Sequence, residues 1–268
     1  MRDEAALAES RAFRVKPVPL LRPLGWLARG WRDLWSSPWL GLAHGFAAAA
    51  FGAGLLSVAH DSFWLLAGAF SGFLIVAPLL ATGLYNVSRA LEKGRHPGLG
   101  TVLAAWRPDD RRLISFGLLL GLAGTGWVLT SAAFITGFAP APVRAPLDFV
   151  RVVLLAEHGW LFEAWTLLGG VLAAPVFASS VVALPLLLDR KVGVLAAVLT
   201  SWRVVMEHPG PMALWAGLIV LLTLAGMATL LLGLVVVVPW LAHASWHAYR
   251  DLVDISDIPA LPTRAWRR

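Results

Sequence analysis

The sequence predicts an all-α membrane protein of six transmembrane helices, arranged as three hairpins that are each preceded by a short interfacial amphipathic helix. Hydrophobic residues make up 58% of the 268 and charged residues 14%, with a mean hydropathy of +0.72. An ordinary soluble domain carries about 25% charged residues. From Met212 the chain runs without a charge until it closes on His243, His247, Arg250 and Asp251. Short motifs also recur at fixed offsets ahead of and inside the apolar runs, the pattern of a parallel pseudo-repeat.

Residues 1–22 are mixed in charge and punctuated by proline, which reads as a disordered cytoplasmic tail. No apolar core of a secretory signal precedes Pro38, so the chain is expected to begin in the cytoplasm and stay uncleaved. The six-helix membrane domain covers 23–253, and 254–268 form a second cytoplasmic tail. Leu24 to Trp35 places Leu24, Leu27, Trp31, Leu34 and Trp35 at helical spacing, with Arg29, Arg32 and Asp33 elsewhere on the wheel. A helix of that kind lies in the membrane interface.

Trp39–Ala59 and Phe63–Val87 are the first two spans, joined by a tight turn at His60, Asp61 and Ser62. Leu113–Phe138 and Trp160–Leu188 are the third and fourth. Between them the apolar stretch Val150–Ala156 is expected to rest on the outer surface. Met212–Tyr249 holds the fifth and sixth, with a turn near Ala228–Gly233. Each span approaches the roughly 20 residues a helix needs to cross a bilayer. Of the 22 lysines and arginines, only Arg144 and Arg151 fall on the outer side of this arrangement. Positive residues mark the cytoplasmic side, so both termini are cytoplasmic and the number of crossings is even.

The repeat rests on two motifs. Trp31-Arg32, Trp106-Arg107 and Trp202-Arg203 each close a short amphipathic helix, and the first and third continue as W-R-x5-P through Pro38 and Pro209. The second span of each hairpin carries P-x-L at Pro78, Pro185 and Pro239. Arg89 and Arg250 follow at matching distances from Pro78 and Pro239. Each proline frees the carbonyl four residues earlier, at Leu74, Val181 and Val235, and in lipid such a carbonyl needs a partner. A ring of freed carbonyls lining a small-solute channel or carrier is one reading; three packed kinks are the other. Gly41/Gly45, Gly68/Gly72 and Gly117/Gly121 are G-x-x-x-G pairs that suit close helix packing.

Chemistry has few places to reside. Cysteine is absent, which removes thiol catalysis, cysteine-held clusters and covalent haem attachment. There is no phosphate-binding loop, nucleophile elbow or dinucleotide fingerprint, and the spans lack central carboxylates, so no enzymatic activity is expected. The net charge of +6 sits in inter-span segments, where it meets anionic headgroups and not nucleic acid. His243 and His247 share a helical face, and His44 lies in the first span. Together they are the candidate ligands for a haem or a metal, although no cofactor is required. Arg250-Asp251 and Asp189-Arg190 read as ion pairs at the cytoplasmic boundary.

The segments LPLLLDRKV, TSWRVVMEHPGPMALWA and PWLAHASWHAYRDLV, within Val181–Val253, resemble a proteobacterial family of integral membrane proteins, domain of unknown function 2189. GWRDLWSSPWLGLAHG and GFLIVAPLLATGLYNVSRALEKG are similar to it as well. The resemblance implies a bacterial inner-membrane location. The family has no established activity, and some members carry labels as cytochrome c oxidase subunits, so no catalytic residue is carried over. The function expected is that of a non-enzymatic accessory or assembly factor of a membrane complex, such as a respiratory one, with the bilayer and another membrane protein as partners.

Overall fold

The computed structural model describes residues 2–58, 81–105, 111–143, 148, 150–154, 160–256 and 258. The helices are α1 (Arg2–Ala12), α2 (Arg22–Ser36), α3 (Pro38–Val58), α4 (Thr82–Glu92), α5 (Leu99–Leu103) and α6 (Arg111–Phe138). After a single π-helical turn at Val150–Leu154 follow α7 (Trp160–Ser180), α8 (Ala183–Asp189), α9 (Val194–Glu207), α10 (Pro209–Ala228) and α11 (Leu234–Leu252). Two short strands, β1 (Arg14–Val15) and β2 (Val253–Asp254), pair antiparallel. Among the described residues, Arg111–Phe138, Trp160–Asp189 and Pro209–Ala228 are long and apolar enough to cross a membrane. Pro78, Trp106, Arg107, Gly68, Gly72, Leu74 and most of the expected second span lie outside the described residues.

The chain divides into two compact units. The first comprises Met1–Ala49, Pro78–Phe116 and Phe177–Arg268; the second comprises Ala50–Ala77 and Gly117–Val176.

In the first unit, α2 packs along α11. The buried stripe of α2 is Pro23, Trp26, Leu27, Gly30 and Leu34, whereas Leu24, Trp31 and Trp35 are exposed. The single apolar face expected from the sequence is therefore two adjacent stripes. Apolar residues occupy more of the α2 circumference than one neighbouring helix can cover. The crossing is close because Gly30 has no side chain: a Cβ there would stand 2.6 Å from the backbone nitrogen of Ala244.

The amino-terminal tail is not disordered as expected. Helix α1 packs on α9, and Arg203 donates to the carbonyls of Ser10 (2.8 Å) and Phe13 (3.2 Å) near the α1 terminus. The Ser10 carbonyl also takes the Phe13 amide at 3.2 Å, and Phe13 itself lies just past the helix end, where the chain's carbonyls need partners from outside the helix. The Glu9 carboxylate in turn accepts from the Gly193 amide at 3.2 Å, at the start of α9, where negative charge is favoured. The order comes from partners about 190 positions away, which local composition does not reveal. The other end is tied down too: Lys16 Nζ donates to the Arg250 carbonyl at 2.7 Å, and the Lys16 amide to Leu252 at 2.9 Å.

The expected turn between the last two apolar segments is found at residues 229–233, between α10 and α11. Its Leu230 and Leu231 take positive φ of 54° and 69°, a left-handed conformation that β-turn composition would not suggest for leucine. The two W-R-x5-P copies that are described mark the same kind of junction. Pro38 begins α3 after α2, and Pro209 begins α10 after α9; a proline costs nothing in the first helical turn. The W-R pairs themselves differ. Trp31 packs edge-on against Trp35 and Trp240, whereas Trp202 donates to Ser179 at 2.9 Å.

The prolines also act differently. Before Pro185 the helix breaks at residues 181–182, and the Val182 amide donates to the Ser201 hydroxyl (3.1 Å). Before Pro239 the helix α11 continues. The carbonyl that Pro239 frees, Val235, lies against Gly45, where any Cβ would overlap it.

The second unit is aromatic. Trp127 and Trp165 pack at 5.8 Å between ring centroids, and Trp165 donates to the Ser131 hydroxyl at 2.8 Å. Phe138 meets Trp160 edge-on at 5.6 Å. Val153 is fully buried with Ile135 and Leu161, so the stretch expected on an outer surface contributes to a core. Gly121 has nothing within 4 Å of an added Cβ.

Candidate functional site

The polar residues that the sequence singled out converge in the first unit, around the carboxyl-terminal half of α11. Because His243 and His247 are one turn apart, both lie on the same side of α11. His247 Nε2 stands 2.8 Å from Asp33 Oδ2 of α2. His243 is fully buried, and its Nδ1 lies 2.7 Å from the Ser88 hydroxyl of α4. That hydroxyl also bonds Asp33. A carboxylate only accepts, so Ser88 gives its single proton to Asp33 and receives the His243 Nδ1–H. His247, Asp33, Ser88 and His243 thus form one hydrogen-bonded chain across α2, α4 and α11.

This tautomer leaves His243 Nε2 as a bare lone pair, buried and without a hydrogen-bond partner among the described residues. It faces α3, 3.8 Å from the Cβ position of Gly41. One turn further along α3, His44 Nδ1 lies 2.8 Å from the Leu40 carbonyl of its own helix, so that nitrogen carries the proton. His44 Nε2 points toward Gly83 of α4. The three candidate histidines therefore do not meet at one point. His247 is turned to Asp33, and among the described residues no group of three histidine or acidic side chains is placed to hold a metal.

A second knot centres on Asp189 at the end of α8. Its carboxylate forms an ion pair with Arg89 of α4, whose Nε stands 2.9 Å away, and accepts the Tyr249 hydroxyl of α11 at 2.9 Å. Both Arg89 and Asp189 are buried. Arg250 takes Glu92 through two nitrogens, at 2.9 and 2.8 Å, and Trp246 Nε1 donates to the same carboxylate at 3.2 Å. Asp251 accepts from Arg22 (2.6 Å), from Trp26 (2.9 Å) and from Arg29 of α2.

The expected pairing of Arg250 with Asp251 is therefore replaced by partners on other helices. Successive residues on a helix point about 100° apart and do not face each other. Asp189 and Arg190 do approach, at 3.6 Å, but Arg89 is the closer partner. Arg32 is exposed, and Arg203 caps α1 and pairs with Glu207 at 3.6 Å. Sequence reasoning missed Asp33 and Ser88 as partners of the histidines, and Glu92 and Asp189 as partners of Arg250 and Arg89. Their only signal was that charged residues in so apolar a chain need partners.

Residues 65–189 match the model of a family described as a predicted integral membrane protein, DUF2189. That stretch is similar to the DUF2189 family. It includes Arg89, Glu92 and Asp189, together with the P-x-L motifs at Pro78 and Pro185. The match ends before α9, α10 and α11, where much of the resemblance had been read. No curated protein and no solved structure matches the chain. The chain is thus an integral membrane protein that resembles DUF2189 over that stretch, and its activity must be argued from the geometry.

Proposed function

We propose that the protein is a non-enzymatic accessory or assembly factor of a membrane complex, such as a respiratory one. One observation carries the reading. The acidic and hydroxyl side chains of the candidate site, with His247 and one nitrogen of His243, are spent on one another or on neighbouring cations, joining α2, α4, α8 and α11. Catalysis needs a nucleophile or base with an open position beside it, whereas interlocked pairs of this kind suit a scaffold. The reading includes six crossings as three parallel hairpins, a bacterial inner-membrane location and cytoplasmic termini. The turn between α10 and α11 supports it, and so does the confinement of positive residues.

Gentle detergent extraction and affinity capture test the proposal. A stoichiometric membrane-protein partner is expected, and recovery of only the lone chain under mild conditions would overturn it.

A second reading is a haem or metal protein, favoured by the bare Nε2 of His243. Metal-ligating histidines are usually anchored through their other nitrogen, as His243 is through Ser88 and Asp33. An optical spectrum and metal analysis of the purified protein decide it, and a colourless, metal-free sample ends the idea. For a small-solute channel or carrier, the described residues offer less: the carbonyl freed by Pro239 is covered by Gly45.

A further inference from the structure

The charges of α2 do not form its outer face. Arg22 and Arg29 are turned to Asp251, and Asp33 to His247, so these three side chains lock the helix to α11. Arg32 is exposed and has no ion-pair partner among the described residues. What α2 presents outward is apolar. Leu21, Leu24, Ala28, Trp31 and Trp35 follow one another at helical spacing, and all are exposed. At 3.6 residues per turn they fill an arc of about 80°, beside the arc that α11 covers. Trp39, in the first turn of α3, extends the stripe and is exposed as well. The rings are held in place, because Trp31 packs edge-on against Trp35 at 5.5 Å and against Trp240 at 5.0 Å.

The indole N–H groups decide what such a stripe suits. The inward tryptophans have acceptors: Trp26 donates to Asp251 at 2.9 Å and Trp240 to the Leu27 carbonyl at 2.7 Å. The N–H groups of Trp31, Trp35 and Trp39 have none among the described residues. An indole combines a large apolar body with a single donor. In water the bodies of these side chains stay exposed at a cost, and in the middle of a bilayer the donors go unmet. At the boundary between headgroups and acyl chains both needs are satisfied. The third W-R copy is built otherwise. Trp202 spends its N–H on Ser179, and Arg203 donates to the Ser10 carbonyl, so α9 does not repeat the arrangement.

We propose that this stripe is a phospholipid-binding surface that seats the first unit at the headgroup–acyl boundary. Leu21, Leu24 and Ala28 lie against acyl chains. Trp31, Trp35 and Trp39 donate to ester or phosphate oxygens, and Arg32 forks onto a phosphate, whose geometry a guanidinium matches through two parallel bonds. The occupant is lipid and not a protein, since three unpaired donors and one unpaired guanidinium rim an apolar strip in a chain that is an integral membrane protein. The inference stands apart from the accessory-factor reading, because a captured partner neither requires nor excludes it.

The chain has no cysteine, so Leu24→Cys and Ala28→Cys each put a single spin label on the stripe of the full-length protein. Ser256→Cys puts one on an exposed residue after β2 as the aqueous reference. In proteoliposomes of phosphatidylcholine and phosphatidylglycerol, the stripe labels should collide with oxygen more than the reference does. They should collide with a water-soluble nickel chelate at least about fivefold less, as groups below the headgroups do. Nickel collisions equal to the reference would place the stripe in water, and few collisions with either reagent would place it under protein; both overturn the proposal. The second measurement uses Trp31→Phe/Trp35→Phe/Trp39→Phe, which keeps aromatic rings and removes the three indoles. Lipids brominated high on the acyl chain should quench wild-type fluorescence more than lipids brominated near the chain end, and most of that difference should vanish in the variant. An equal difference in the two proteins overturns the assignment of these tryptophans to the boundary. Partner capture remains a separate readout, so failure here and failure of the accessory-factor reading are told apart.

Discussion

In the first unit, α2, α4, α8 and α11 are joined by side chains that carry charge: Asp33 with His247, Asp189 with Arg89, Glu92 with Arg250, Asp251 with Arg22 and Arg29. In the second, α6 and α7 meet through Trp127, Trp165, Phe138 and Trp160, with a neutral bond from Trp165 to Ser131. Lipid tails are as apolar as a leucine, so apolar contact between helices gains little from leaving lipid. Van der Waals fit and hydrogen bonds must supply the specificity. The scarce charge of this chain is concentrated where short, amphipathic helices must be oriented, and the long apolar helices are matched by shape.

Asp189→Ala is the strongest way to test that contrast. It leaves Arg89 buried without its carboxylate and strips Tyr249 of its acceptor, and breaking a buried pair from one side costs about 3–5 kcal/mol. Thermal unfolding in detergent, followed by tryptophan fluorescence, should show a large fall in midpoint or no folded protein. A midpoint near wild type would mean that the charges decorate the first unit and do not hold it. Gly30→Val comes next. Its Cβ would fall 2.6 Å from the Ala244 backbone nitrogen, so α2 and α11 must separate, at a cost of about 2–3 kcal/mol. The same melt should register it, and Gly25→Val on the open side of α2, where nothing lies within 4 Å, should be far milder.

The two units were not equally legible in the sequence. Long apolar runs announced α6, α7 and α10 through composition alone, and the turn before α11 followed from charge placement. The amphipathic character of α2 and α9 was visible as periodicity. Which stripe of α2 is buried was not, because Trp26 and Trp31 are chemically alike and only the position of α11 separates them. The partners of Asp251 and Glu92 were hidden for a related reason. Adjacent charges in sequence suggest a pair, but helix geometry sends them to different neighbours more than 150 residues away. The histidines stood out in the sequence, but their separation by Asp33 and Ser88 could not be read from an i, i+4 spacing.

Asp33 allows the polar half of the comparison to be titrated. Burial pushes its carboxyl up, but the hydrogen bonds from His247 and Ser88 and the nearby positive charge outweigh this, and it ends below its ordinary value of 3.8. A carboxyl depressed in the folded state stabilises fully above its unfolded value. That contribution disappears as pH falls through the lower, folded value. Midpoints should therefore be insensitive to this group above about pH 4 and decline in more acidic buffer. Asp33→Asn should lower the midpoint at neutral pH by the equivalent of about 2 kcal/mol, the size of a hydrogen bond to a charged group. It should also flatten the acid limb relative to wild type. An acid limb identical in the two proteins would remove Asp33 from the network.

The aromatic unit supplies the smallest effect. Trp165→Phe keeps an aromatic ring beside Trp127 and deletes the donor to Ser131, a neutral bond worth about 1 kcal/mol. Ser131→Ala removes the same bond from the other side, leaving the indole N–H without this acceptor. If the bond is the whole effect, the double variant should melt no lower than the worse of the two single ones, since the second change has nothing left to remove. A loss several times larger, approaching that of Asp189→Ala, would show that the second unit also depends on a polar tie. The contrast between charge-held and shape-held helices would then have to be abandoned. Fully additive losses would instead assign the effect to ring packing, which is the outcome that keeps the contrast and corrects the role given to Ser131.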